Sequence, residues 1–342
     1  MNNAEKLISV TPKYAIAGGE ISINCSDFSA DYDSGFRCMI GGKEAHITAA
    51  SDRHILAIVP ADIEETEVEI YLESSLKRTN SLTLTVGKLL AEDMHIVANP
   101  AVDPKDDSII LTRSGSRGQK LPVTLFRLEA DGFLSEMRAD LLNPTGLAFS
   151  RSGNLFVTNR SDGEVCRIKH DEEVVTYMTG LGIATGLAFD KDDNLLVGDR
   201  SGTIHKVTEF GKSQSFAVLE ASVSAYHLAF GLDNKLYVTA PGLASYDGIY
   251  VIDETGYDQV YFRGFGRPQG LAFDKEGNLY VAASYQGTQG IVKISKDGSE
   301  AELFVSGRGI VGLCFTRKGE MVVATNEQVH SVPVGVYGTL LN

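Results

Sequence analysis

One hairpin-like segment recurs along the chain, and this repetition constrains the fold more than any other feature. Residues 270–283 read GLAFDKEGNLYVAA, residues 186–197 read GLAFDKDDNLLV, and residues 146–157 read GLAFSRSGNLFV. Each copy joins two short apolar runs through a turn rich in Asp, Asn, Lys, Ser and Gly, which is typical of an antiparallel β-hairpin. The chain is therefore predicted to contain a series of equivalent β units.

Weaker copies extend the repeat over residues 95–342. The last apolar residue of the first strand recurs about every 40 to 47 residues, at Val102, Phe149, Phe189, Phe230, Phe273 and Phe315. Third strands follow at GEVCRI, GTIHKV, DGIYVI and QGIVKI, and a weaker fourth strand follows each of them. Four antiparallel strands per unit are typical of propeller blades, so residues 95–342 are predicted to form a six-bladed β-propeller.

Residues 1–87 lack the repeat but also alternate between apolar and polar side chains. In EISINCSDF, Ile21, Ile23 and Cys25 alternate with Ser22 and Asn24, as in a half-buried strand. Several such strands separated by glycine-containing turns predict a small β-sandwich. Residues 88–94 are predicted to be a short linker that docks the sandwich on the propeller. The predicted fold class is all-β throughout.

The N-terminal segment resembles the IPT/TIG family of immunoglobulin-like domains. The resemblance lies in ISVTPKYAIAGGEISINCSDF, with Pro12, the Gly18-Gly19 pair and Phe28, and in the GG at 41–42 and the VP at 59–60. In this family such a domain is a binding or spacer module in most settings. The resemblance therefore implies that the active surface, if there is one, lies on the other domain.

The repeat unit PTGLAFSRSGNLFVTNRSDGEVCRI resembles NHL-repeat propellers and the gluconolactonase/senescence-marker-protein superfamily. An IPT/TIG-like domain ahead of such a propeller also resembles proteins described as gluconolactonase-like. The superfamily includes lactonases that depend on Ca²⁺, Mg²⁺ or Zn²⁺, lyases and non-catalytic scaffolds. The resemblance implies the fold, while the function depends on the residues at the site.

Composition limits the classes of partner. The formal net charge is −14, and such a surface repels phosphate backbones and anionic lipids, so neither nucleic acid nor a membrane surface is expected as a partner. The N-terminus shows no signal-peptide pattern and no segment approaches the ~20 apolar residues of a membrane span, which predicts a cytoplasmic protein. Cys25, Cys38, Cys166 and Cys314 form no CxxC pair and are predicted to be buried free thiols.

In the related lactonases, carboxylates and Asn occupy the position before the repeat glycine and hold the metal. The corresponding residues here are Ala98, Thr145, Thr185, Tyr226, Gln269 and Val311. A hard cation needs several oxygen ligands with negative charge, and this set contains no carboxylate. No cofactor is therefore expected. If a divalent cation binds, Asp199 and Asn159 are the predicted ligands.

The repeat glycine itself is replaced in the first and fourth units, by Asn99 and His227. In a six-fold ring these two residues face each other across the channel, where they could grip a small polar ligand. His227 could instead act as a general base, with Tyr226 as a second donor. The alternative is that each side chain packs locally and hydrogen-bonds a backbone carbonyl.

A third set of polar residues lies where the second strand of each unit ends. Arg113, Arg160 and Arg200 are each followed by Ser, and Asn159 and Asp199 precede two of them. Three guanidinium groups would form a positive patch suited to a carboxylate, a phosphate or an acidic peptide. Alternatively, each arginine pairs with a nearby acid such as Asp162 or Asp199. The predicted ligand site also includes the slot residues Thr145, Thr185 and Gln269, and Tyr285 and Asn326; Arg263, Arg267 and Arg308 could extend the patch.

Three functions fit these patterns. The first is a propeller that binds a small polar or anionic molecule, or a protein, on its channel face. The second is a gluconolactonase-like, metal-assisted hydrolase of a lactone or ester. The third is a lyase or isomerase that uses His227 with Tyr226 and Arg113. The sequence contains no GxSxG, HExxH or Walker motif that would favour another enzyme class.

Overall fold

A computed structural model describes residues 6–339, apart from residues 27, 29–34, 75–76, 116–118, 210 and 243–245. The described residues form β-strands and connecting turns and contain no α-helix. Within this part of the chain there is accordingly no helix long and apolar enough to cross a membrane. The predicted all-β class is confirmed.

Eight strands precede the repeat, and their alternating burial explains how they pack. They are β1 (Lys6–Thr11), β2 (Tyr14–Ala15), β3 (Glu20–Ser26), β4 (Arg37–Ile40), β5 (Lys43–Ala50), β6 (His54–Ile58), β7 (Glu67–Glu73) and β8 (Leu82–Val86). They pair in the order β1-β3-β6-β5-β4-β7-β8-β2. Ile21, Ile23 and Cys25 of β3 point to the same side and join Ile40 and Ile70 in one apolar core.

Four separate four-stranded sheets follow from the repeat. The first consists of β10 (Ala101–Val102), β11 (Ile109–Thr112), β12 (Leu125–Leu128) and β13 (Leu134–Glu136). The second consists of β14 (Pro144–Phe149), β15 (Leu155–Asn159), β16 (Glu164–Ile168) and β17 (Val174–Met178). The third consists of β18 (Ala184–Phe189), β19 (Leu195–Asp199), β20 (Thr203–Glu209) and β21 (Lys212–Val218). The fourth contains β30 (Ile310–Phe315), β31 (Glu320–Thr325), β32 (Val329–Pro333) and β9 (Lys88–Ala91).

The remaining repeat strands belong to one sixteen-stranded sheet that also includes the N-terminal strands. They are β22 (His227–Phe230), β23 (Leu236–Thr239), β24 (Asp247–Ile252) and β25 (Asp258–Gly266), followed by β26 (Leu271–Phe273), β27 (Leu279–Tyr285), β28 (Thr288–Ile294) and β29 (Ala301–Ser306). β25 pairs with β27, and β29 pairs in parallel with β2, so this sheet continues from one repeat unit to the next and then to the N-terminal strands.

The first strands of the repeat units lie next to one another around a common channel. The contacts run from β10 through β14, β18, β22 and β26 to β30, and β30 packs against β10, which gives a propeller-like arrangement. The repeat glycine allows this close approach. A Cβ atom at Gly312 would lie 2.6 Å from the carbonyl oxygen of Ala98 and 2.7 Å from Cα of Asn99, too close for any larger residue.

A strand from the N-terminal side of the repeat completes the last sheet. Lys88–Ala91, which lie in the predicted linker, form β9 and pair with β32. The sequence left open whether this segment or GVYGTLL near the C-terminus supplies that outer strand, and the structure places β9 there. The C-terminal segment instead approaches the channel. Gly338 forms a β-bridge with Asp274, and the Lys275 N–H donates to the Tyr337 carbonyl over 2.8 Å. Residues 340–342 lie outside the described residues.

The hairpin turns join neighbouring units on the face opposite the site considered below, here called the turn face. Backbone N–H groups of Arg151 and Lys191 donate to the side chains of Asp193 and Asn234 in the next unit. Arg317 N–H donates in the same way to Asp107 of the first unit. Asp193, Asn234 and Asp107 have φ of 65°, 57° and 66°, a conformation that Asn and Asp adopt more readily than most residues. These residues therefore shape the turns and link the units.

The cysteine prediction is confirmed. Cys25, Cys38, Cys166 and Cys314 are buried and free. Burial raises the pKa of Cys38 to about 12 and that of Cys166 to about 11, mainly because the thiolate loses hydration. Such thiols behave as small apolar core residues.

Candidate functional site

The polar residues singled out in the sequence gather at one end of the channel because the hairpins are antiparallel. The first strand of each unit begins, and the second strand ends, on this face, here called the channel face. In the second unit, for example, Pro144 at the start of β14 pairs with Asn159 at the end of β15. The third unit repeats this register with Ala184 and Asp199.

Arg160 and Arg200 form a close pair of like charges on the channel face, here called the arginine pair. Burial and the neighbouring charge of Arg200 lower the pKa of the Arg160 guanidinium. The Arg200 side chain extends toward the fourth unit, where Nη2 donates to the carbonyl of Val223 over 2.8 Å. Among the described residues, neither arginine forms an ion pair, and neither does Arg113.

The acids that could have neutralised the arginine pair bind elsewhere. Asp199 accepts from the backbone N–H of Ile183 over 2.8 Å and from Ser201, through both its N–H at 3.2 Å and its hydroxyl group. Asp162 accepts from Nδ2 of Asn159 over 2.7 Å. The pairing of arginine with Asp162 or Asp199, which the sequence left open, therefore does not occur.

The same bonds decide whether Asp199 and Asn159 fit a divalent cation. Oδ1 of Asp199 accepts from the N–H groups of Ile183 and Ser201, and Oδ2 accepts from the Ser201 hydroxyl. The amide nitrogen of Asn159 donates to Asp162. In the described ranges, no three His, Cys, Asp or Glu side chains lie close enough together to hold a metal ion. A hard cation needs several oxygen ligands with carboxylates among them, and this pair offers one carboxylate, which already accepts hydrogen bonds from Ile183 and Ser201; the two residues alone therefore do not fit such a cation.

Four buried polar atoms near the channel face have no hydrogen-bond partner among the described residues. They are Oγ1 of Thr112, Oδ1 of Asn143, Oδ1 of Asn159 and Nε of Arg200. Each such atom costs about 1–3 kcal/mol of folding free energy unless water or a ligand satisfies it. Asn143 is held by its other amide atom, which donates to the Ser161 hydroxyl over 2.8 Å. The channel face thus contains buried donor and acceptor atoms that can still form hydrogen bonds with a ligand.

Two cavities open on the channel face, and Asn326 lines both. The larger, of about 940 Å³, is lined by Val223, Arg267, Gln269 and Ser284, with no acidic side chain among its described lining residues. The smaller, of about 520 Å³, contains Arg113 and His95 but also Glu92, Asp93 and Glu327. The larger cavity is therefore the more favourable one for an anion.

The remaining predicted residues are distributed as follows. Gln269 and Asn326 line the larger cavity, and Arg113 lines the smaller one. Tyr285 lies at the end of β27 with its ring 5.7 Å from that of Phe265. Arg308 lines a separate cavity of about 370 Å³ beside Glu20, and Arg263 is exposed on β25.

Thr145 and Thr185 are buried between neighbouring units. The Thr185 hydroxyl donates to the Gly198 carbonyl over 3.2 Å and accepts from the Tyr226 N–H over 3.0 Å. Among the described residues, the Thr145 hydroxyl makes one long bond, 3.5 Å, to the Asn143 carbonyl of its own unit. The Thr185 hydroxyl thus joins the third unit to the fourth, and neither threonine is among the residues that line the two cavities.

Asn99 does not face His227 with a free amide. Its Nδ2 donates to the Leu271 carbonyl over 2.9 Å, and its Oδ1 accepts from the Leu313 N–H over 3.0 Å. The side chain therefore links the first unit to the fifth and sixth, which is the local alternative that the sequence allowed. The asparagine that replaces the repeat glycine here therefore helps to close the ring of units.

The side chains of Tyr226 and His227 point to opposite sides, as those of consecutive residues in an extended segment do. Tyr226 packs with Leu196 and Leu228 in one core, and its hydroxyl donates to the Glu220 carbonyl. Burial raises the pKa of Tyr226 to about 12. His227 lines the channel interior instead. The structure therefore does not bring together the catalytic set of His227, Tyr226 and Arg113.

Two contributors to the site carried little or no signal in the sequence. Asn143 precedes the slot residue Thr145 by two positions, and only the unpartnered oxygen identifies it. Val223 lies in a connection outside the repeat, and it is 43% exposed beside the Arg200 guanidinium. The recurring Arg-Ser dipeptide was the pattern that located the arginine pair.

No family model and no curated protein matches the sequence. Solved structures do match. An auxiliary nutrient binding protein from Bacteroides ovatus is 12% identical, with a TM-score of 0.55 over 96% of this chain and 98% of that chain. A gluconolactonase from Xanthomonas campestris is 14% identical, with a TM-score of 0.56 over 72% and 89%. A catalytically inactive variant of virginiamycin B lyase from Staphylococcus aureus, with quinupristin, is 14% identical, with a TM-score of 0.52 over 87% and 99%. At these identities the likeness is one of fold, and the fold is a propeller.

Proposed function

We propose that this protein is a binding propeller that takes a small organic anion on its channel face. The observation that carries the proposal is the arginine pair. Arg160 and Arg200 lie close enough for the charge of one to lower the pKa of the other, and no described acid neutralises them. Two like charges held together without a counterion favour an anion that bridges them.

The surroundings of the arginine pair define the rest of the ligand. Ile183 and Val223, whose backbone carbonyls bind Arg200, are 46% and 43% exposed. Val223 also lines the larger cavity, which extends to Gln269 and Asn326. A carboxylate on the arginine pair would place an attached apolar chain against Ile183 and Val223. The proposed ligand class is therefore a carboxylate with an apolar part and a few polar groups.

The architecture that supports this site is proposed as follows. The strand groups β22–β25 and β26–β29 within the large sheet are taken as two further blades, which makes six with the four separate sheets. Residues 1–87 are taken as an immunoglobulin-like, IPT/TIG-type sandwich, and residues 95–342 as an NHL-like propeller. Parallel pairing between β2 and β29 supports a sandwich that is fixed to the fifth blade. Its proposed role is structural: it supports the propeller through its attachment to the fifth blade.

The hydrolase alternative is not favoured by the residues present. A metal-assisted reaction would need the predicted ligands Asp199 and Asn159, which together offer a single carboxylate, and both of its oxygens already accept hydrogen bonds. The proposed binding function needs no cofactor. The absence of nucleic acid and membrane partners and the cytoplasmic location remain predictions from charge and sequence.

The proposal is tested by calorimetric titration with hexanoate, which has one carboxylate and an apolar chain. We expect saturable binding to the wild-type protein and at least a ten-fold loss of affinity in Arg160→Gln and in Arg200→Gln, since a charge-assisted hydrogen bond contributes about 1.5–3 kcal/mol. Hexylamine, with the opposite charge, should not bind.

Arg317→Gln on the turn face is the matched control, because it removes the same charge at a distance from the channel face. We expect it to bind hexanoate as the wild-type protein does. Equal losses in all three variants, or no binding of hexanoate to the wild-type protein, would contradict the proposal. Dialysis against EDTA should leave binding unchanged, and a loss would favour the metal-assisted alternative.

A further inference from the structure

The interior of the channel contains a second cavity, here called the channel cavity, that is separate from the anion site. Its volume is about 130 Å³, and the first strands of the repeat units line it. The residues that line it are largely apolar: leucines such as Leu187 and Leu228, alanines such as Ala188 and Ala229, and the phenylalanines that end the first strands. Gly338 and Thr339 close it on the side of the turn face.

The size and lining of the channel cavity suit a small apolar molecule. A cavity of about 150 Å³ lined by Leu, Ile and Phe side chains remains dry and binds benzene. Water is a poor occupant because it needs two to four polar partners. Asn99 also lines the cavity, but its amide is already bonded to Leu271 and Leu313.

His227 adds a polar side chain to this largely apolar cavity. The side chain lines the cavity and is 3% exposed, and its Nε2 has no hydrogen-bond partner among the described residues. Burial lowers the pKa of His227 to about 4, so the imidazole is neutral at physiological pH and offers one donor and one acceptor. Four of the other repeat units have glycine at this position, at Gly146, Gly186, Gly270 and Gly312.

We infer that the channel cavity binds a small, mostly apolar molecule with a single hydroxyl or N–H group, which hydrogen-bonds to the imidazole of His227. The apolar residues that line the cavity select for size and apolar character. The imidazole selects for one polar group. Neither the arginine pair nor the larger cavity contributes to this site.

The experiment compares phenol with benzene as probes, since the two differ by one hydroxyl group. Ligand-observed NMR and calorimetry on the full-length protein should show one saturable site for each. We expect the wild-type protein to bind phenol about five-fold more tightly than benzene, which corresponds to one net hydrogen bond. Phenol should also shift the imidazole ¹⁵N resonances of His227, whereas benzene should shift them much less.

Two variants use residues that the chain itself has at equivalent positions. His227→Gly, with the residue of four other units, should bind both probes and lose the preference for phenol. His227→Asn, with the residue of the first unit, should retain part of that preference. The inference is overturned if neither probe binds to the wild-type protein, or if phenol and benzene bind equally well.

The inference would also be overturned if His227→Gly still bound phenol more tightly than benzene. Arg200→Gln separates this inference from the proposed function, because it should weaken hexanoate binding at least ten-fold and leave phenol binding unchanged. If phenol binding is lost in Arg200→Gln as well, the probe occupies the channel face and the channel cavity is not its site.

Discussion

The two faces of the propeller use the same kinds of polar residue for different purposes. On the turn face, Asp and Asn side chains hold the turns by hydrogen bonds. Asp274, for example, accepts from the backbone of Glu276 and Asn278, from the Asn278 amide and from the Tyr280 hydroxyl. On the channel face, atoms of Asn143, Asn159 and Arg200 are buried without partners among the described residues. Buried atoms that lack a partner in the described chain also occur in β32, at Nδ1 of His330 and Oγ of Ser331, so the contrast between the faces rests on the cluster of such atoms at the channel face, which we take to indicate a ligand site.

The largest effect should follow from breaking the turn face. Asp274→Ala removes acceptors at 2.8 to 3.1 Å and leaves the Tyr280 hydroxyl buried without its partner. We expect a loss of about 3–5 kcal/mol in the free energy of unfolding, measured by urea denaturation. Asn159→Ala is the matched change on the channel face and should cost less than Asp274→Ala, about 1–2 kcal/mol, since it removes one bond, to the exposed Asp162, and an Oδ1 that has no partner in the described part of the chain. Equal losses would remove the distinction between the faces.

The next effect is a pH dependence that originates in the channel. His227 has a pKa of about 4 in the folded protein against 6.5 when unperturbed, because burial disfavours the charged ring. The unfolded chain therefore takes up a proton that the folded protein does not, and stability falls as the pH is lowered from about 6.5 to about 4. Between pH 7 and pH 4, the wild-type protein should lose on the order of 3 kcal/mol more than His227→Asn. Parallel pH profiles of the two proteins would contradict the assigned burial.

A smaller effect is expected from removing residues 336–342. This deletion eliminates the Lys275–Tyr337 hydrogen bond and the bridge between Asp274 and Gly338, but leaves β9 paired with β32. We expect a loss of about 1–2 kcal/mol in urea denaturation with retention of the fold. Failure of the shortened chain to fold would show that the C-terminal segment, and not β9, is essential for closing the ring.

The smallest effect on stability is expected at the arginine pair. Arg160→Gln removes one of two like charges from the channel face, so the free energy of unfolding should stay within about 0.5 kcal/mol of the wild-type value or rise slightly. Urea denaturation measures this together with the loss of hexanoate affinity. A clear destabilisation would mean that Arg160 serves the fold and that the arginine pair is not a ligand site.

The sequence predicted the repeat, the all-β class and the face on which polar residues gather, because these depend on local periodicity and on the antiparallel order of strands. It did not predict which polar side chains would be free. Asn99 and Tyr226 looked like ligand-binding or catalytic residues by position. The structure shows their polar groups bonded to backbone atoms of other parts of the chain.

Which polar groups are left without a partner depends on how neighbouring units pack, and the sequence of a single repeat does not specify that packing. Arg160 and Arg200 are 40 residues apart in sequence and meet only because neighbouring units pack side by side. In the same way, the outer strand β9 lies more than two hundred residues before its partner β32. Such pairings depend on closure of the whole ring, and the local pattern left both possible closing strands open.

The most direct test of the central claim is the position of a bound anion. A crystal of the protein grown with 6-bromohexanoate would locate the bromine by its anomalous signal and the carboxylate by its density. We expect the carboxylate to bridge Arg160 and Arg200, with the bromine over Ile183 and Val223. A ligand bound on the turn face or away from the two arginines would contradict the claim that the unpaired groups of the channel face form the binding site.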